Sequence, residues 1–188
     1  MTFDFELYQR CLSGERAAQE KLYKIYAPIM YGICLRYTKD QDEAKDVLQE
    51  AFIKIFSNIE GFRGEGSFEG WMKRIVINTS LNHYYKAKKE ISDKSFDDIK
   101  ETEIQHDDDQ ELEELRFNKA EMLEAIQRLP DGYKQVFNMY VFEKYKHREI
   151  AELLNISVNT SKSQLSKART YLQKTLIRME KAKKQQKR

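Results

Sequence analysis

Residues 146–174 read KHREIAELLNISVNTSKSQLSKARTYLQK, and this stretch predicts two helices joined by a tight turn. The first helix has an apolar side made of Ile150, Ala151, Leu153 and Leu154. Asn155-Ile156-Ser157 supplies the turn and ends in a residue that favours the position just before a helix. The pattern is that of a helix-turn-helix.

The second helix of this pair has two contrasting faces. Its predicted buried stripe consists of Val158, Leu165, Ala168 and Leu172. At about 100° per residue, the opposite face carries Thr160, Ser163, Lys167, Thr170 and Lys174. Hydroxyls and cations on an outer face suit the major groove of DNA and its phosphates. A solvated surface helix at the end of a bundle is the alternative, but the preceding helix and turn favour DNA binding.

The composition predicts an all-α protein with segregated charge. The chain has 188 residues, of which 34% are charged, two are Pro and seven are Gly, so long helices are expected. Residues 90–114 contain twelve acids and two lysines, residues 71–89 five cations and no acid, and residues 162–188 ten cations and one acid. The small net charge of +2 therefore does not argue against a nucleic-acid partner.

Other features narrow the function classes. Cys11 and Cys34 are too few for a disulfide scaffold and are expected to be reduced and buried. The histidines His83, His106 and His147 lack the spacing of a ligand set, so neither a metal nor another cofactor is expected. No catalytic triad order or phosphate-cradling glycine loop indicates an enzyme. Since the sequence shows no signal peptide and no membrane-length apolar stretch, we expect a cytoplasmic protein without membrane insertion.

The chain divides into four predicted segments. These are an N-terminal helical domain over 1–88, a flexible acidic linker over 89–115, a C-terminal helical domain over 116–180 and a frayed basic tail over 181–188. The second domain is predicted to contain helices over 116–128, 131–142, 146–154 and 157–180. In the first domain, a helix begins at Ser13 or Gly14, and Pro28 is expected to kink or restart it. The apolar positions of that helix are Ala17, Leu22, Ile25, Ile29, Ile33 and Leu35.

A wide apolar stripe marks the next helix, which Asp40 is expected to cap. The stripe consists of Ala44, Val47, Leu48, Ala51, Phe52, Ile55 and Phe56. The opposite face carries Asp42, Glu43, Asp46, Gln49 and Glu50. A glycine-rich loop, FRGEG over 62–66, follows, and Ser67 is expected to cap a helix that runs to about Lys88.

That last helix places two amides on a largely apolar line. The line consists of Phe68, Trp71, Ile75, Asn78 and Asn82. In one interpretation, the amides bond to nearby backbone or lie at a half-exposed rim. In the other, they contact unstacked bases, while phosphates are bound by Lys73, Arg74, Lys86, Lys88 and Lys89. Arg63 and the glycines of the preceding loop fit a pocket for an extruded base.

Two segments together resemble a known family. Residues 42–86, DEAKDVLQEAFIKIFSNIEGFRGEGSFEGWMKRIVINTSLNHYYK, are similar to the promoter-melting domain of bacterial extracytoplasmic-function sigma factors. Residues 129–172, LPDGYKQVFNMYVFEKYKHREIAELLNISVNTSKSQLSKARTYL, resemble the C-terminal domain of those factors, which reads the upstream promoter element. The resemblance extends over about residues 5–88 and 116–176, and the two segments follow one another along the chain in the same order as in the family.

The resemblance implies a factor that binds the RNA polymerase core and directs promoter-specific initiation. It implies docking of the acidic face on the clamp helices of the largest polymerase subunit, through Asp46, Gln49 and Glu50, with Asp42 and Glu43 beside them. For single-stranded −10 DNA it implies Arg63, Lys73, Arg74, Asn78, Thr79 and Asn82, with Trp71 as a packing residue. For the −35 major groove it implies Asn159, Thr160, Lys162, Ser163, Gln164, Lys167 and Arg169. An anti-sigma factor is a further implied partner.

Four positions depart from the family pattern. Asn82 and Tyr85 stand where Asp and Arg are usual, and Ser161 and Gln164 stand where Val and Arg are common. Gln164 can form two hydrogen bonds with adenine, whereas Arg there would favour guanine or phosphate. The departures therefore bear on the promoter sequence and leave the predicted fold unchanged.

Two other functions compete with this interpretation. A helix-turn-helix regulator would be a dimer with a ligand pocket in 1–89 and would bind duplex DNA without polymerase. A helical nuclease or hydrolase would need a catalytic or metal site, and the acids 107–109 form only a run within the linker. That linker would either follow a basic protein surface, such as the polymerase exit channel, or serve as a solubilising tether.

Overall fold

The structure, a computed structural model, describes the backbone of residues 4–92 and 117–186 and the side chains of residues 4–86 and 117–185. Every regular element in these ranges is helical, which confirms the all-α prediction. The chain divides into two compact units, Met1–Phe96 and Asp97–Arg188. From residue 93 to 115, the predicted acidic linker lies outside the described residues.

The first unit is a bundle in which three long helices pack against one another. Its elements are α1 (Phe5–Leu12), α2 (Arg16–Tyr37), α3 (Gln41–Ser57), a 3₁₀ turn (Ile59–Gly61) and α4 (Phe68–Ser92). Helices α2, α3 and α4 pack mutually, while α1 lies against α2 and the 3₁₀ turn. Helix α4 continues four residues past its predicted end at Lys88.

Helix α3 forms as its sequence predicts. The Asp40 carboxylate accepts hydrogen bonds from the backbone N–H groups of Asp42 and Glu43, at 3.0 and 2.9 Å, and so caps the helix. The apolar stripe is buried from Ala44 to Ile55, and only Phe56 at its end is half-buried. One face of α3 therefore belongs to the core, and the acidic face opposite is left for solvent or a partner.

Helix α2 corrects two expectations. It runs as one helix through Pro28, so the predicted restart there is wrong: Ala27 and Met30 on either side are buried and hold both halves on the core. The proline itself faces solvent, where the backbone carbonyl that loses its partner can bond to water. The buried side is also rotated: Ala18, Leu22, Tyr26, Met30, Ile33, Cys34 and Tyr37 are buried, whereas Ala17 is exposed.

The short helix α1 was not predicted, although it holds the glycine-rich loop. The Tyr8 hydroxyl donates to the backbone carbonyls of Ile59 (3.2 Å) and Phe62 (3.4 Å). The Tyr8 ring also meets Phe62 and Phe68 edge-on, with centroids 5.8 and 5.4 Å apart. Both ends of the loop are therefore fixed by a residue about fifty positions earlier in the chain.

The second unit contains four helices arranged along one long one. They are α5 (Lys119–Gln127), α6 (Asp131–Val141), α7 (His147–Leu154) and α8 (Val158–Gln186), close to the predicted ranges. A capping box of Asn118 and Glu121 starts α5, with reciprocal hydrogen bonds of 3.0 Å. The core between α5 and α8 consists of Ala125, Ile126, Leu129, Ala168, Leu172 and Leu176.

The basic tail is ordered further than predicted. Helix α8 continues through Gln186, so the expectation that residues from 181 onward fray is wrong for the described part. Lys183 pairs with Glu121 at 2.5 Å and lies 5.5 Å from the centre of the Phe117 ring. These contacts tie the end of α8 to the start of α5.

Candidate nucleic-acid interface

The turn between α7 and α8 has the local geometry of a helix-turn-helix. Asn155 adopts a left-handed conformation (φ 51°), which ends α7. The Ile156 N–H then donates to the Ala151 carbonyl at 3.0 Å, and the Ser157 hydroxyl accepts from the Thr160 N–H at 2.9 Å. The predicted N-cap residue thus begins α8, and the direction of α8 is fixed by these bonds.

The outer face of α8 combines exposed and half-buried polar side chains. Asn159, Lys162, Ser163 and Arg169 are exposed, while Thr160, Gln164 and Lys167 are half-buried. The Ser163 hydroxyl donates to the Thr160 carbonyl at 3.0 Å, and the Thr160 hydroxyl pairs with that of Ser157 at 2.8 Å. These hydroxyls are therefore oriented by the helix itself, and each keeps capacity for a further hydrogen bond.

Gln164 lies closer to the protein than the sequence suggests. A Cβ atom added to Gly132, at the start of α6, would come within 3.4 Å of the Gln164 amide nitrogen. The glycine thus leaves room for the Gln164 side chain to lie over α6. Two-point contact with adenine would require this side chain to swing outward.

A buried polar contact lies on the inner side of α8 and was missed by the sequence analysis. Ser161 is fully buried, and its hydroxyl lies 2.9 Å from His147 Nδ1 of α7. The imidazole stacks on the Tyr140 ring of α6, with centroids 4.6 Å apart and planes 23° apart. Burial lowers the pKa of His147, and the charges of Lys162 and Arg169 lower it further. Both effects favour the neutral form of the imidazole.

In the first unit, one face of α4 presents the predicted amides to solvent. Asn78 and Asn82 are both exposed, so neither amide needs a hydrogen-bond partner within the protein. Helical spacing places Arg74 and Tyr85 on the same side of α4, and both are exposed. Trp71, about two turns before Asn78 on this line, stacks on Phe68 with centroids 5.5 Å apart, in agreement with its predicted packing role.

Two residues predicted for the −10 surface lie elsewhere. Thr79 is only 1% exposed, and its hydroxyl donates to the Ile75 carbonyl at 2.8 Å while it accepts from Lys54 at 3.4 Å. Lys73 projects about 140° from Asn78 around the helix and pairs with Glu69 at 2.8 Å. Helical periodicity and burial therefore remove both from the face that carries the amides.

The loop before α4 is shaped by glycines and anchored by aromatic rings. Gly64 and Gly66 have φ angles of 76° and 80°, a region that side chains other than glycine rarely adopt. Arg63 is exposed, whereas the neighbouring Phe62 packs on Phe68 at 5.1 Å. The loop thus offers a cation and open backbone beside the start of α4.

The acidic face of α3 is less uniform than its sequence suggests. Asp46 and Gln49 are exposed, and Ile53 continues the same line with 66% of its surface exposed. The other predicted acids have local partners: Asp42 pairs with Lys45 at 2.8 Å, and Glu43 accepts from the Lys39 N–H at 2.8 Å.

Glu50 links α3 to α4. One of its carboxylate oxygens lies 2.6 Å from Lys54 Nζ, and the other lies 2.8 Å from His83 Nε2. The Lys54 hydrogen bond lowers the pKa of Glu50, and His83 lowers it further against the opposing effect of burial. Lys54 also reaches Thr79, so this polar network joins the acidic face to the interior side of α4.

Residues 4–92 and 117–186 contain no group of three or more His, Cys, Asp or Glu side chains that could hold a metal ion. Across those same ranges, no helix has the length and apolar character needed to cross a bilayer.

The fold and these surfaces define a class: a two-unit helical protein with a DNA-binding helix-turn-helix. Family models agree, since sigma-70 region 2 matches residues 22–90 and sigma-70 region 4 matches residues 119–172. The RNA polymerase sigma-H factor of Pseudomonas aeruginosa is 30% identical over 182 residues, which cover 92% of this chain and 93% of that protein. The ECF sigma factor SigW of Bacillus subtilis is 30% identical over 172 residues, covering 87% and 91%.

The chain belongs to the extracytoplasmic-function sigma factors, which are non-enzymatic factors that direct RNA polymerase to specific promoters. The sigma factor RpoE of Bartonella quintana, solved with the anti-sigma factor NepR, has the same fold: it matches with a TM-score of 0.54 and 17% identity over 84% of this chain and 95% of that one. The alternative of a regulator with an N-terminal sensor domain is wrong, because residues 22–90 match a sigma region.

Proposed function

We propose that the two units read one promoter at two places. The outer face of α8 enters the major groove of the −35 element, while the exposed face of α4 captures unpaired bases of the −10 element. Two observations carry the proposal: the first unit exposes the Asn78 and Asn82 amides, and the second unit contains a helix-turn-helix. Amides and an aromatic ring suit unpaired bases, whereas a cationic helix suits a duplex groove.

The proposed contacts follow from exposure. On α8 they are Asn159, Thr160, Lys162, Ser163, Lys167 and Arg169, with Gln164 after an outward rotation. On the first unit they are Arg63, Arg74, Asn78 and Asn82, with Tyr85 as a stacking surface in the place where the family usually has Arg. The cations would contact phosphates and position the protein, and the amides would contact base edges.

Energetics explain why a polymerase must take part. Separating DNA costs about 1.4 kcal/mol of stacking per base-pair step. Capture of an unpaired base by stacking returns roughly 1–3 kcal/mol. One or two captured bases can therefore favour the melted state over a few steps, but they cannot open a promoter alone. The remaining contacts would come from the polymerase core.

The exposed line of α3 is the proposed docking surface for the clamp helices of the largest polymerase subunit. Asp46 and Gln49 provide polar contacts, and Ile53 provides an apolar anchor among them. Asp42, Glu43 and Glu50 lie beside this line, but each would have to exchange a partner within the protein for one on the polymerase.

Several further assignments complete the proposal. We infer functional segments at 1–88, 89–115, 116–180 and 181–188, with the acidic linker either against basic polymerase surface or acting as a tether. We infer a cytoplasmic location, since the protein acts on promoter DNA. We also infer an anti-sigma partner, because a protein of the same fold was solved with one.

Run-off transcription tests the proposal. Core polymerase would be mixed with this chain and a library of promoters that vary at the −35 and −10 positions. Transcripts should depend on the chain and on both elements. Transcripts that require only one element, or none at all with purified chain and active core, would contradict two-site reading.

A further inference from the structure

We propose that His147 and Ser161 are a positioning pair that holds the recognition helix α8 against α7 and α6, and thereby sets how well the −35 element is discriminated. The inference rests on the proposed role of α8 at the −35 duplex. It extends that role to two residues that make no contact with DNA. It also explains a departure from the family pattern, since Ser161 stands where Val is common.

Burial makes the pair necessary. The Ser161 hydroxyl has no exposed surface, so a partner within the protein must replace the water that it gives up. His147 Nδ1 supplies that partner at 2.9 Å. A buried hydroxyl that must keep this bond tolerates one arrangement of the two helices, whereas a valine would tolerate small shifts.

Stacking fixes the imidazole itself. The Tyr140 ring lies against one face of His147, with centroids 4.6 Å apart, so the ring cannot rotate freely away from Ser161. Tyr140, His147 and Ser161 belong to α6, α7 and α8 respectively, and one chain of contacts therefore crosses all three helices.

The pair lies directly beneath the proposed DNA contacts. Ser161 lies between Thr160 and Lys162 in the first turns of α8, so a change at its side chain alters the position of both neighbours. Lys162 and Arg169 are also close enough to act electrostatically on His147. A shift of α8 would therefore move cations and hydroxyls together relative to the groove.

Substitutions at both positions test the pair in the full-length protein bound to core polymerase. His147→Phe keeps a ring on Tyr140 but leaves the Ser161 hydroxyl without its partner, and Ser161→Val removes the hydroxyl. The double variant replaces both polar groups with apolar ones. The measurement is the affinity for two fork-junction DNAs that share a −10 element and differ only in an intact or scrambled −35 element.

We expect each single variant to reduce the ratio of the two affinities about fivefold or more, because each leaves one polar group of the pair without its partner. We expect the double variant to recover most of the ratio. His147→Gln should also retain it, since the amide can still bond to Ser161. Affinity for the scrambled −35 DNA should stay unchanged in all four proteins.

The matched control is Ser166→Val, on the same helix but exposed to solvent. It should leave the ratio unchanged, and thermal unfolding of each variant shows the temperature at which all proteins remain folded. Additive losses in the double variant, an unchanged ratio in the single variants, or an equal loss in Ser166→Val would overturn the pairing. If the unmodified protein shows no −35 preference, the proposed role of α8 fails instead.

Discussion

Asn78 and Thr79 are neighbours on α4, yet their surroundings predict opposite results when each is substituted. Asn78 is exposed and makes its proposed contact only with DNA, so Asn78→Ala should leave the free energy of unfolding within about 0.5 kcal/mol of its original value. One amide hydrogen bond contributes about 0.5–1.5 kcal/mol. Promoter opening should therefore fall roughly two- to tenfold.

Thr79 is the matched control. It is 1% exposed, and its hydroxyl bonds to Ile75 and Lys54. Thr79→Val keeps the shape and removes both bonds, which should cost about 1–2 kcal/mol of unfolding free energy without a direct effect on DNA. For a unit of this size, a change of 1 kcal/mol moves the unfolding midpoint by about 4–8 °C.

The assay is permanganate reactivity of −10 thymines in complexes with core polymerase, paired with thermal unfolding of the free protein. Asn78→Ala should lower the reactivity and leave the unfolding midpoint unchanged, and Asn82→Ala should behave alike. Thr79→Val should lower the unfolding midpoint and leave the permanganate reactivity unchanged at temperatures where it is folded. If Asn78→Ala loses duplex binding and melting equally, or if Thr79→Val alone abolishes melting, the division of α4 into a base-contacting and a core side is wrong.

Three further predictions follow from other surfaces. Ile53→Ser should weaken binding of core polymerase at least about fivefold, with little change in stability because the side chain is exposed. Titration of core polymerase with labelled protein measures the affinity, and an unchanged affinity would refute the proposed docking surface. The pKa of Glu50 lies below its ordinary value of 4.5, so its ion pairs stabilise the fold above that pH and are lost as the pH falls through the lowered pKa. Glu50→Gln should therefore reduce the acid-dependent loss of unfolding free energy. The same pH dependence in the variant and the original protein would contradict the network. Arg169→Ala should reduce the salt dependence of −35 binding by about one phosphate contact, whereas Arg178→Ala, an exposed cation further along α8, should not.

Much of the fold follows from local sequence signals. The stripe of α3 and its Asp40 cap are confirmed because both depend on residues within a few positions of each other. The helix-turn-helix is confirmed for the same reason, since Asn155 and Ser157 determine the turn by their own backbone and side-chain bonds.

The errors arise where a distant part of the chain decides the outcome. The face that α2 buries is set by packing on α3 and α4, so Ala17, which the sequence predicts on the apolar side, is exposed instead. Thr79 was assigned to DNA from its position in a family motif, but α3 covers it. The partner of Ser161 lies fourteen residues earlier on another helix, and spacing alone gives no sign of it.

A signal for α1 was present in the sequence. Asp4 caps the helix by accepting from the Leu7 N–H at 2.9 Å, and Leu7, Tyr8 and Cys11 follow at helical spacing. Its role in the loop could not be read from these residues, because the hydrogen bonds of Tyr8 reach the 3₁₀ turn across the fold.

The Tyr8 hydroxyl has a bearing on chimaeric sigma factors. The match to region 2 begins at residue 22, so a module exchanged at that boundary would carry the FRGEG segment without Tyr8. The Tyr8 hydroxyl bonds to the Ile59 and Phe62 carbonyls at the start of the loop, and its ring packs on Phe68 after the loop. If the loop has its proposed role at the −10 element, grafts that include the first twenty-one residues would keep its conformation and its contribution to promoter preference. Shorter grafts would carry the same loop sequence without this anchor.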